Sequence, residues 1–246
     1  MSKKRLEICT GDPAGIVAAV KGGADRVELC SGLAEGGLTP SAAIMRYSCE
    51  RIPTNVLIRP RGGDFVYTPD ELAVMASDID DAVKAGAKGV VIGVLTPEGK
   101  VDTKACRRLL AHARGLSNTF HRAFDLAADP FEALEEIIAL GFSRVLTSGQ
   151  ASSALEGAEL LAELHRKAAG RILIMAGAGV NPDNAAEVLS RSEADELHAS
   201  ARSAVASAMT ATRGVAMGSA DDPSASRLAT DASIVAELKQ CIIQNA

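Results

Sequence analysis

Several short apolar segments of this 246-residue chain carry side chains able to do chemistry, set at two-residue offsets. Glu7 and Cys9 lie in RLEIC, Glu28 and Cys30 in DRVELC, and Arg59 with Arg61 in NVLIRPR. His121 and Asp125 lie in NTFHRAFD, and Glu196, His198 and Ser200 in ADELHAS. Carboxylates and imidazoles move protons, and a guanidinium stabilises developing negative charge. Glu7, Glu28, Arg59, His121, Asp125 and His198 are therefore a candidate catalytic set. Cys9 and Cys30 suggest different chemistry, because soft thiolates select Cu(I). The alternative for this pair is plain packing, since free cysteine is often buried as a small hydrophobe. The chain has no CxxC pair, no Met-rich tract and no His cluster.

A third group points to anion binding. Thr147-Ser148-Gly149 and Gly177-Ala178-Gly179 are small-residue runs, the second followed by Asn181-Pro182-Asp183, a helix-start signal. Glycine lets backbone N–H groups approach a ligand, and a helix amino terminus attracts negative charge. With Ser200 and the cations Arg61 and Arg122, these residues are expected to hold a small phosphate- or carboxylate-bearing ligand.

The elements that must position these residues follow from a repeated pattern. Eight apolar runs are each followed by an amphipathic stretch: RLEIC, DRVELC, NVLIRP, GVVIGVL, NTFHRAF, SRVLTSG, RILIMAG and ADELHAS. Helix starts are marked at Thr39-Pro40-Ser41, Thr68-Pro69-Asp70 and Asp129-Pro130 as well. Eight evenly spaced βα units leave a closed barrel or a doubly wound sheet, and the even spacing favours the barrel. The expected fold is α/β, a single-domain (β/α)8 TIM barrel over residues 1–246, with a long loop after strand eight from about residue 200 to 231. That loop is either a mobile surface segment or a lid or subunit contact over the site.

Alternation along each strand sorts the side chains. Leu6 and Ile8, Val27 and Leu29, and Val56 and Ile58 face the helices, so Glu7, Cys9, Glu28, Cys30, Leu57, Arg59 and Arg61 face the barrel axis. By the same parity His121 and Asp125 share one face of strand five, opposite Phe120 and Phe124, and Glu196, His198 and Ser200 share one face of strand eight. Glu7, Glu28, Arg59, His121 and His198 should therefore meet in one cavity at the carboxyl end of the strands. Interiors of such barrels are usually filled by branched apolar side chains, and charged ones are tolerated only when paired.

Composition bounds the rest. Apolar residues make up 47% of the chain, aromatic residues 3%, and Trp is absent, so the core is built from Val, Ile, Leu and Ala. The net charge of -5 with interspersed signs argues against nucleic acid as a partner. No stretch is apolar enough for a signal peptide or a membrane span, so no membrane is expected. The five cysteines are dispersed and odd in number, which suits a reducing cytoplasm. Cys49, Cys106 and Cys241 fall on expected outer helices, as packing residues.

The segments LEIC, ADRVELC, EGGLTPS, IRPRGGDFVYT, GVLTPEGKVD, TFHRAFD, RVLTSGQ and IMAGAGV, in this order, resemble the copper homeostasis protein CutC family along nearly the whole chain. The resemblance implies a cytoplasmic barrel, a homo-oligomer (dimer or tetramer), and a role in copper homeostasis with Cu(I) binding, for which Cys9 and Cys30 are the available ligands. No established enzymatic activity comes with the resemblance. Two readings stay open: a copper-binding protein, and an enzyme acting on a small anionic metabolite.

Overall fold

A computed structural model describes residues 4–210 and 226–245. Eight parallel strands close into a barrel in sequence order, β8 pairing back onto β1. They are β1 (Arg5–Thr10), β2 (Arg26–Leu29), β3 (Thr54–Leu57), β4 (Gly89–Ile92), β5 (Thr119–Phe120), β6 (Arg144–Thr147), β7 (Leu173–Ala176) and β8 (Glu196–Ala199). Outside them lie α1 (Pro13–Lys21), α2 (Ala42–Cys49), α3 (Pro69–Lys84), α4 (Thr103–His112), α5 (Pro130–Ala139), α6 (Ala158–Ala168), α7 (Ala185–Ser192) and α8 (Ala232–Gln244). The helices begin where local chemistry satisfies their first N–H groups. Asp12 accepts from Gly15 N at 2.7 Å, Thr68 and Glu71 form a reciprocal capping box, and Asp129 caps α5, with Pro in the first turn of each.

The core is the ring between strands and helices. Leu6, Ile8, Val27, Leu29, Val56 and Ile58 are fully buried there, against helix residues such as Ile16, Met75 and Ile79. Burying each of these large side chains contributes roughly 1.5–3 kcal/mol. The opposite parity, Glu7, Glu28 and Arg59, points to the axis, as alternation requires.

Three local expectations are corrected. β5 is only two residues long, because His121 Nδ1 accepts from Ala123 N at 3.1 Å and turns the chain into a 3-10 turn over Arg122–Leu126. Asp125 therefore lies on that turn and not on a strand face. α7 starts at Ala185 rather than at Asn181, since the Asn181 side chain accepts from Asp183 N and Asn184 N and holds a turn ahead of the helix. Part of the expected irregular loop is an antiparallel hairpin, β9 (Arg202–Ala206) with β10 (Ser226–Thr230). It is tied to the barrel by Arg227 to Asp12 and by Thr230 Oγ1 to Thr10 Oγ1 at 3.2 Å. The rest of that loop, 211–225, lies outside the described residues.

One glycine sets the register of the barrel floor. A Cβ on Gly89 would stand 2.1 Å from Ser117 O and 2.4 Å from Asn55 Oδ1. Gly89→Ala is expected to destabilise the barrel by about 1–3 kcal/mol, the usual cost of overpacking, by displacing Asn55. Urea unfolding measures this, and an unchanged midpoint would contradict it.

Candidate functional site

The barrel is plugged at its lower end by charge. Arg26 donates from Nε to Glu7 Oε2 at 2.5 Å and from Nη1 to Glu196 Oε1 at 2.9 Å, and pairs with Glu196 through Nη2 as well. Arg144 Nε donates to Glu196 Oε2 at 3.0 Å, and Asn55 Nδ2 to Glu7 Oε2 at 2.9 Å. All five side chains are buried. Burial alone would raise the pKa of Glu7, but Arg26 and His198 hold it far below the ordinary carboxylate range. His198 Nδ1 donates to the other Glu7 oxygen at 2.9 Å, linking this plug to the layer above.

The upper layer walls a cavity of about 120 Å³ with Cys9, Glu28, Leu57, Arg59, Phe65, His121, Arg122 and His198. Four of the five residues expected to share a cavity do so; Glu7 lies beneath it, under His198. The two histidines are set in opposite states. Burial disfavours the imidazolium of His198, yet adjacent Glu28, the Cys9 thiol and Glu7 lift its pKa well above the ordinary value. Burial and neighbouring Arg59 push His121 down to about 3, leaving it neutral. Glu28 is raised, first by burial, with the His198 charge opposing and Glu7 adding. His121 fits only because Gly93 has no side chain: a Cβ there would be 2.5 Å from its Cε1 and Nδ1. Three buried polar atoms in these cavity residues lack a partner among the described residues: Glu28 Oε2, Arg59 Nε and His121 Nε2.

The two strand-end cysteines come together. Cys9 Sγ and Cys30 Sγ are 3.3 Å apart and both thiols are free. Cys9 also donates to Glu28 Oε1 at 3.5 Å, so Cys9, Cys30 and Glu28 form a cluster whose donor atoms could surround one ion. The shared hydrogen bond with Cys30, burial and the Glu28 charge all raise the Cys9 pKa well above its ordinary value. Cys106 on α4 is fully buried and pushed by burial to about 12, while Cys49 on α2 and Cys241 on α8 are half-buried.

The expected anion cradle is differently occupied. Asp125 turns into the β6 end and accepts from Ser148 N at 3.0 Å, Ser148 Oγ at 2.9 Å and Gln150 N at 3.2 Å, and also from Thr147 Oγ1. Arg122 donates to the same carboxylate at 2.7 Å. The donors of Thr147 and Ser148 are thus spent on the protein's own anion, and Gly149 N is bound to Thr147 Oγ1 at 2.9 Å. Gly177 N donates to Thr147 O at 3.0 Å, and the Gly179 carbonyl accepts from the Asn181 and Asn184 side chains. Arg61 faces away from the axis, bound to Glu71, Asp64 and nearby carbonyls. Ser200 meets the hairpin, its carbonyl 3.5 Å from Thr230 Oγ1. Arg61, Thr147, Ser148, Gly149 and Gly177, expected as ligand contacts, are thus each hydrogen-bonded within the chain, Gly149 by the Thr147 hydroxyl and the others by carboxylates or carbonyls.

Sequence reasoning passed over Arg26, Arg144 and Asn55. Their signal was the same alternation: Arg26 shares parity with Glu28, Asn55 with Leu57 and Arg59, and Arg144 with Leu146, all on the axis side.

The sequence matches the model of the CutC family over residues 4–203. A family protein CutC of Chromobacterium violaceum is 49% identical over 242 residues, covering 97% of this chain and 98% of the relative. One from Agrobacterium fabrum is 50% identical over 235 residues, covering 95% and 92%. The crystal structure of a Streptococcus agalactiae protein assigned as copper homeostasis protein CutC superposes with a TM-score of 0.77 at 33% identity, covering 80% of this chain and 98% of that one.

Opposite histidine states are directly measurable by NMR titration. His121 is expected to stay neutral down to about pH 3, and His198 to remain protonated above neutrality. The linkage follows in sign. Glu7, more acidic in the fold, contributes stability above its ordinary value of 4.5 that is lost as pH falls. His198, more basic in the fold, contributes stability below its ordinary value of 6.5 that is lost as pH rises through its folded value. His121 and His198 titrating together near 6.5 would refute the assignment.

Proposed function

The chain belongs to the CutC family, and we propose that it serves copper homeostasis in the cytoplasm by binding Cu(I) between Cys9 and Cys30. The observation that carries this reading is the pair of free thiols 3.3 Å apart, one of which opens on the cavity. Soft sulfur donors suit Cu(I), and a thiol pair kept unoxidised suits a reducing compartment. At metal–sulfur bonds of about 2.3 Å, as measured for zinc thiolates, the two sulfurs part by about 1 Å to flank an ion. Cys9, on the cavity side, has room to move. Among the described residues no helix is long and apolar enough to cross a membrane. A homo-oligomer belongs to the same reading, supported by the apolar Leu228 and Met209 exposed on and beside the hairpin.

A second reading, an enzyme of small anionic metabolites, is favoured by one observation: the three unpartnered polar atoms of the cavity residues.

Anaerobic titration of Cu(I) against a chromophoric chelator tests the copper reading. The wild-type chain is expected to take one equivalent, and Cys9→Ser/Cys30→Ser none. Because the Cys9 thiol is still protonated at neutral pH, the ion must displace that proton. Apparent affinity is therefore expected to climb at least about tenfold per pH unit between pH 6 and 8. Equal binding by the double variant, or affinity flat in pH, would sink the site.

A further inference from the structure

Arg59 is a buried cation without an ion pair. Its Nη atoms donate only to carbonyls, of Glu35 at 2.7 Å, Gly37 at 2.9 Å and Gly63 at 2.8 Å, and among the described residues no carboxylate lies within ion-pair distance. The side chain is 6% exposed, its Nε has no partner, and it walls the 120 Å³ cavity. Buried charges ordinarily find a counter-charge, so the unfilled role is that of an anion.

His121 stands in the same wall, 5% exposed. Its Nδ1 accepts from Ala123 N, which leaves the proton on Nε2, and that atom is the one without a partner. Phe65 lies against both groups, 4.9 Å from the His121 ring and 5.1 Å from the Arg59 guanidinium carbon, and excludes water from that side. The third unpartnered atom, Glu28 Oε2, is an acceptor. Two unpartnered donors, one of them charged, and one unpartnered acceptor are thus carried by residues that line a single cavity.

We propose that this cavity binds a small 2-hydroxycarboxylate, its carboxylate on Arg59 Nε and His121 Nε2 and its hydroxyl donating to Glu28 Oε2. Two donors match the two oxygens of a carboxylate. A phosphate has more oxygens than the free donors can serve and brings a second negative charge towards Glu28. The cavity is small, about 120 Å³, which suits a ligand of the size of glycolate or lactate. The site adjoins the thiol pair, since Cys9 also lines the cavity while Cys30 does not.

The test is an NMR titration of the full chain with glycolate, lactate, acetate and inorganic phosphate, read at the His121 Nε2 resonance. Glycolate or lactate should shift that resonance saturably, with acetate at least about fivefold weaker and phosphate weaker still. Arg59→Gln should weaken glycolate at least tenfold, with thermal melting run beside it. His121→Asn, which can still cap Ala123 N but withdraws the far donor, should do the same and serves if the arginine variant does not fold. Cys30→Ser should lose Cu(I) and keep glycolate, so failure of one site is distinguishable from failure of the other. No shift with any carboxylate, or glycolate affinity unchanged in a folded Arg59→Gln or His121→Asn protein, overturns the site. Acetate binding as well as glycolate removes the hydroxyl contact to Glu28 and overturns the hydroxy-acid assignment. Phosphate binding more tightly than glycolate overturns it too.

Discussion

A single guanidinium, that of Arg26 on β2, bridges two buried carboxylates of the adjacent strands β1 and β8 in the barrel floor, Glu7 and Glu196. Taking each ion out of water costs several kcal/mol, recovered only with close pairing and full hydrogen bonding. Here Arg144 and Asn55 complete the set. Arg26 keeps Glu7 anionic, and with Glu28 and the Cys9 thiol, Glu7 holds His198 as a cation. The polar mouth stands on this floor. Truncating Arg26 would strand two carboxylates, and the loss would propagate upward.

The mouth divides by the softness of its donors. Over β1 and β2 lie the sulfurs of Cys9 and Cys30; over β3 to β5 lie the hard N–H donors of Arg59 and His121, and Glu28 and His198 stand between. On the far side Asp125 closes the wall by engaging the β6 end. That internal carboxylate occupies donors of the β6 end, whereas Arg59 has no carboxylate partner among the described residues. Soft sulfur donors and hard N–H donors thus lie within one opening, with Glu28 between them.

Much of this was legible in the sequence because strand alternation is a local rule. It brought Glu28, Arg59, His121 and His198 to one cavity and Cys9 to Cys30, and the eight repeats specified a closed barrel. The rule failed where strands stop. His121 ends β5 by bonding Ala123, so Asp125 left the strand parity and found its partners on β6, a contact 23 residues distant in sequence. Asn181 similarly delayed α7, separating the glycine turn from the helix start. Parity also contained Arg26 and Arg144, but what each pairs with, 170 and 52 residues away, is decided by closure of the barrel. Alternation says which way a side chain points; only the closed ring says what it meets.

Whether the soft half of the mouth holds an ion is read most directly from the copper itself. X-ray absorption at the copper edge, on reduced protein carrying one equivalent of Cu(I), reports the atoms bonded to it. Two sulfur scatterers at about 2.3 Å, the length of a metal–thiolate bond, are predicted, and they should vanish in Cys9→Ser/Cys30→Ser. A first shell of nitrogen or oxygen alone would place the ion elsewhere and contradict the assignment of Cys9 and Cys30.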